Sequence, residues 1–170
     1  MMERVLSWAL GITLAVLLLI VAYQSLMGPT PNAIFGMIAL RSGIQLAEPV
    51  GRYVVTALQL LAVLLIVISA TRSRGAMLAL VLSVAAMALH LSPWLGVQLL
   101  QGPAVSEALA QHKTLAEINA MGLPTDKGAM FLLAAAIAIL SVGTIFVERA
   151  KIQAAAKAKT KRPIGSFADA

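Results

Sequence analysis

The sequence predicts an all-α membrane protein: a four-transmembrane-helix bundle with interfacial helices in its two outer loops. Three features of the chain predict it. Apolar residues make up 60% of the 170 positions and charged residues only 12%, more apolar surface than a water-soluble domain can hide behind a wetted exterior. The apolar residues gather in four runs, separated by breaks that carry proline or glycine. The Lys and Arg excess, a formal charge of +6, lies beside those runs and in the C-terminal tail. That is the pattern of loops near anionic lipid, so no nucleic-acid partner is expected. Cysteine is absent. This excludes disulfides, thiol redox catalysis, iron–sulfur clusters and thiolate zinc sites.

The first span covers residues 5–27, long enough to cross a hydrocarbon core of roughly 30 Å. It is too long for a signal peptide, and no small-x-small cleavage site follows, so it reads as an uncleaved span. Gly28, Pro29 and Pro31 end it. Residues 33–47 are moderately apolar, too short to span, and interrupted by Arg41. They read as an interfacial or partly re-entrant helix. The second span covers about residues 49–71, with Pro49 suited to its first turn and Glu48 complementing the positive helix start. Thr71–Gly75 reads as a tight polar hairpin. The third span covers about residues 76–92, closed by Ser92-Pro93-Trp94, with Trp94 placed for the aromatic belt. In the long loop that follows, residues 105–121 predict one short amphipathic surface helix, with Thr114 and Glu117 as a capping box. Thr125 or Asp126 caps the fourth span, about residues 127–147. The bundle domain is thus residues 1–149, and residues 150–170 form a basic tail. Alanine and lysine favour helix past the membrane until Pro163 and Gly165.

Nine of the 13 Lys and Arg residues fall on the side that holds both termini. The positive-inside rule puts that side, with Arg72 and Arg74, in the cytoplasm. Small residues (Gly11, Ala15, Ala85, Ala86, Ala134–Ala136 and Ala138) permit the close backbone approach that drives association in lipid. The tail residues Arg149, Lys151, Lys157, Lys159, Lys161 and Arg162 read as a lipid-binding element.

The specific chemistry is confined to a few polar residues. Arg41, Glu48, Arg52, His90 and Asp126 come to one depth at the outer mouth, and Gln59 lies about three turns deeper. Charges at such depth pair or face a wet cavity. Glu48 and Arg52, four apart, are placed to pair. The six together form a candidate polar pocket, with an interfacial anchor as the plainer alternative. His90 and His112 are the only histidines, too few for bis-histidine dihaem binding, and no clustered metal-ligand set exists. No catalytic motif is present.

Arg52 to Ala62, the turn Thr71–Gly75 with Ala76-Met77-Leu78-Ala79, Ala88-Leu89-His90-Leu91-Ser92, and Asp126-Lys127-Gly128-Ala129-Met130-Phe131 resemble the DoxX-like family of small bacterial four-helix membrane proteins. The resemblance covers residues 41–146. It departs at Gln59, where relatives tend to carry glutamate, at Ser92 in place of threonine, and at Lys127 in place of glycine. It implies association with membrane redox complexes, including quinone-linked sulfur oxidation. Three functions stay open: a non-catalytic integral subunit or assembly partner, a quinone- or haem-handling redox protein using the outer pocket, and a small transporter. No cofactor is predicted outright; quinone and haem are the two that the second function would use. The expected partners are membrane lipids and either another integral membrane protein or further copies of this chain.

Overall fold

The computed structural model describes residues 2–100 and 103–160. Its elements in order are α1 (Met2–Met27), α2 (Ala33–Ser42), a 3-10 turn (Gln45–Ala47), α3 (Val50–Val67), α4 (Arg72–Leu91), α5 (Pro103–Ala110), α6 (Leu115–Ala120) and α7 (Ala129–Thr160). The fold is all-α. Four of these helices, α1, α3, α4 and α7, are long and apolar enough to cross a membrane.

The four pack as an antiparallel ring, α1 against α3 and α7, α4 against α3 and α7. Side chains fix the directions. The start of α4 touches the start of α1 and the later part of α7, through Arg72, Ser7 and Glu148. The end of α4 meets the start of α7, where His90 stands edge-on to Phe131. The start of α3 reaches the end of α1, through Arg52 and Pro29. One end of the bundle therefore holds both termini. The other is covered by α2, α5, α6 and the connecting segments, here called the cap.

Within the ring the core is Leu14, Ala15 and Leu18 of α1, Ala62 and Ile66 of α3, Ala76 and Ala79 of α4, and Ile137 and Ile145 of α7. The outward positions are apolar too: Val81, Leu132 and Ile139 are among the exposed side chains. Lipid solvates such a surface, so helix association rests on close packing. Backbones come close at Gly75, where a Cβ would lie 2.7 Å from the Ile66 nitrogen and 2.8 Å from the Ala62 carbonyl oxygen. Of the small residues singled out from the sequence, Gly11, Ala15, Ala134 and Ala138 are buried in the bundle, whereas Ala85 is exposed.

Several boundaries differ from the sequence reading. The second span stops at Val67 and the third begins at Arg72, so the turn is residues 68–71. Thr71 makes it: its hydroxyl donates back to Leu65 O at 2.9 Å, and its carbonyl accepts from the Arg74 and Gly75 amides. Arg72, expected in an exposed hairpin, is drawn into the bundle with the first turn of α4. The single helix expected over 105–121 is two. Thr114 is extended (φ −70°, ψ 160°) to form its capping box with Glu117, and an extended residue cannot continue a helix. His112, at φ 56°, makes the turn between them. The fourth span starts at Ala129, two residues late, because Lys127 and Gly128 adopt positive φ. It then runs 32 residues, about 48 Å at 1.5 Å per residue, well past a hydrocarbon core of about 30 Å.

The cap has its own packing. Met37 of α2 buries against Val105, Ala108 and Ile118, and Ile38 buries against Leu95 and Leu99. Asn32 caps α2 by accepting from the Ile34 and Phe35 amides, and Gly43, at φ 76°, closes it.

Candidate functional site

The polar residues of the cap end each have definite partners. Glu48 and Arg52 pair at 3.3 Å across one turn, with Arg52 1% exposed. Arg52 also donates to Pro29 O, Thr30 Oγ1 and Tyr53 Oη, and Glu48 Oε1 accepts from the Asn32 amide at 3.2 Å. The pair thus staples α3 to the end of α1 and the start of α2. These partners offset part of the cost of burying the pair, while Glu48 Oε2 and Arg52 Nε have no hydrogen-bond partner among the described residues. Arg41 donates from Nη1 to Leu95 O at 3.1 Å, tying α2 to the segment after α4.

Asp126 is the hub of the second connection. One carboxylate oxygen accepts from the amides of Leu99 (2.8 Å) and Gly128 (3.0 Å), the other from Met130 (3.0 Å). Its own amide donates to Leu99 O at 2.9 Å, next to a bridge pairing Leu100 with Thr125. Burial pushes its carboxyl up, but the amides of Met130, Gly128 and Leu99 and the nearby His90 together outweigh that and hold it below the usual aspartate value. Asp126 is therefore the cap of α7 and the clamp on residues 95–100.

His90 Nδ1 lies 2.9 Å from Gly96 O. A carbonyl only accepts, so Nδ1 carries the proton, and in the neutral ring Nε2 is left as an acceptor. Gln59, on the same face of α3 as Arg52 and Thr56, is 9% exposed, and its Oε1 has no hydrogen-bond partner among the described residues.

The six candidate residues therefore do not share one pocket. Glu48 with Arg52, and Arg41 with Asp126, are spent on holding the cap. Gln59 and His90 instead line a chamber of about 180 Å³. All four long helices wall it, Leu18, Val55, Leu82 and Leu133 among them, and Ile34, Phe35 and Ile38 of α2 lie across it. Ser25 and Ser83 are its other polar lining residues, and the Ser83 hydroxyl is committed to Ala79 O at 2.7 Å.

A second polar cluster, unforeseen from the sequence, sits at the termini end. Arg72, 1% exposed, donates from Nε to Ile66 O (2.9 Å) and from Nη1 to Ser7 Oγ (2.7 Å), and pairs with Glu148 at 3.4 Å. Ser7 donates to Glu148 Oε1. The guanidinium lies 4.1 Å from the centre of the Trp8 ring. Lys151 completes the set, 3.0 Å from Glu148. The sequence held a signal for this. Glu148 is the only acidic residue between Ala129 and Thr160, it stands three before Lys151, and an antiparallel bundle brings Trp8, Arg72 and Glu148 to one end.

Of the tail residues, Lys151 is thus an ion-pair partner inside the protein, while Arg149 and Lys157 are exposed on α7. Lys159 lies within α7, and Lys161 and Arg162 lie outside the described residues. Among the described residues no three His, Asp or Glu side chains gather as a metal site.

Fold and site together define the class: a polytopic helical membrane protein with a capped end and a largely apolar chamber between its long helices. No family model, no curated protein and no solved structure matches the chain.

Proposed function

We propose that this chain is a DoxX-like, multi-pass protein of a bacterial inner membrane. It serves as a non-catalytic subunit or assembly partner of a larger membrane complex, with both termini in the cytoplasm and the cap outside. The cap carries this reading. A four-helix bundle needs only short connections of about 2–8 residues. Here residues 28–49 and 92–128 build three additional helices with their own buried cluster. That structure still presents Ile44, Leu46, Trp94, Val97 and Met121 exposed, apolar surface of the kind a partner covers. Arg41, Glu48, Arg52 and Asp126 are used to hold its shape. The orientation is supported by the concentration of Lys and Arg at the termini end.

The test is purification in mild detergent from the native membrane. A stoichiometric integral membrane partner is expected, lost when Val97→Lys and Met121→Lys are combined. A monodisperse lone protein overturns the reading. Because the chain lacks cysteine, orientation is read from single-cysteine variants in intact cells. Gln111→Cys is expected to react with an impermeant maleimide and Arg74→Cys to be shielded; the reverse pattern rejects the topology.

A further inference from the structure

The chamber beneath α2 has the size and chemistry of a ligand site. At about 180 Å³ it is comparable to an apolar protein cavity of about 150 Å³ that admits benzene. Its lining is almost wholly apolar, and none of Arg41, Glu48, Arg52 or Asp126 belongs to it. A charged ligand would be left unpaired there, at a prohibitive desolvation cost. A purely apolar ligand would leave Gln59 as it stands, nine-tenths buried with Oε1 unpartnered, one of six such buried side-chain atoms among the described residues and the one whose residue lines the chamber.

The missing piece is one polar group on an otherwise apolar molecule. The Gln59 amide offers an acceptor and a donor, and His90 lies on the same lining. A hydroxyl both donates and accepts, so it satisfies the amide whichever way the amide is turned. Water could also bond to Gln59, and Ser25, Ser83 and His90 on the same lining offer the further polar partners that ordered water needs, so water against Gln59 is one outcome the test must distinguish.

We propose that the chamber is a binding site for an uncharged, lipid-soluble alcohol or phenol about one six-membered ring in size, its hydroxyl held by Gln59. Gln59 is the recognition residue, α2 is the wall that closes over the ligand, and the small side chains Ala86 and Ala134 leave the space.

The experiment uses the full chain in detergent, with 4-fluorophenol and fluorobenzene as probes followed by ¹⁹F NMR, and protein-free micelles as the partition control. The expected result is saturable binding of 4-fluorophenol, with fluorobenzene at least tenfold weaker. Gln59→Leu is expected to abolish that preference, so that the two probes bind alike, without lowering the melting temperature. Ala86→Phe, which fills the chamber, is expected to remove saturable binding of both. Equal binding of the two probes by the wild type, signals matching empty micelles, or an unchanged preference in Gln59→Leu would each overturn the proposal. So would a high-resolution structure with only ordered water against Gln59 after soaking with 4-fluorophenol.

Discussion

Replacing Arg72 with methionine tests how the termini end is held. The change keeps the stem and removes the guanidinium, and with it the bonds to Ile66 O and Ser7 Oγ, the pair with Glu148 and the contact with Trp8. Removing one partner of a buried ion pair costs about 3–5 kcal/mol, because the other charge is left uncompensated. Glu148 is not wholly abandoned: Lys151 stays 3.0 Å away, on a side chain 26% exposed. That places Arg72→Met at the low end, about 3 kcal/mol. Adding Glu148→Gln removes the stranded charge. The double variant is therefore expected within about 1 kcal/mol of wild type, since replacing both members of a buried pair is often neutral. Arg72→Lys should recover little, as an ammonium cannot serve Ile66 O, Ser7 and the Trp8 face together. The assay is equilibrium unfolding in mixed micelles, titrated with a denaturing detergent and followed by circular dichroism. Strict additivity of the two single substitutions would show that the side chains are not coupled and would refute the reasoning.

Gly75→Ala puts a methyl against backbone atoms of α3 at 2.7 and 2.8 Å. Overpacking of about 1–3 kcal/mol then outweighs the gain of about 0.5–1 kcal/mol from replacing a helical glycine, so the same titration should show a net loss. Gly36→Ala meets only the terminal Leu109 Cδ1, also at 2.7 Å. That methyl can swing away, and stability should stay within about 1 kcal/mol of wild type. Asp126 has a folded pKa below its ordinary value. Its contribution is therefore full above the unfolded aspartate pKa of about 3.9, and is lost as pH falls through the lower folded value. Hydrogen exchange at the Leu99 and Gly128 amides, corrected for intrinsic rates, should lose protection across that window. In Asp126→Asn the loss should vanish; an unchanged pH profile would dismiss the carboxylate as the clamp.

The long helices were legible because lipid imposes one dominant rule, length of apolar run, and α1, α3, α4 and α7 each obey it. Asp126 as a helix cap, Glu48 with Arg52 as an i,i+4 pair, and the Thr114–Glu117 box were also readable, since each depends on neighbours in sequence. What failed depended on distance in the chain. Arg72 looked like a loop residue because its partners, Ser7 and Glu148, lie 65 and 76 positions away. The six polar residues were grouped by depth alone. Depth fixes height along the bundle but not the azimuth of a side chain, and azimuth separates Gln59 and His90 from Arg41, Glu48, Arg52 and Asp126. The break between α5 and α6 is a local exception: the Thr114–Glu117 box that was read correctly is itself the start of a new helix, with Thr114 extended.

The second helix has a double allegiance. Ile34 and Ile38 lean on the hollow while Met37 is sunk among Val105, Ala108 and Ile118, so a partition about 10 Å thick divides the two compartments. Such a septum cannot shift toward one neighbour without withdrawing from the other. Its two faces therefore share one rigid element, with the hollow on one side and the buried cluster of the cap on the other.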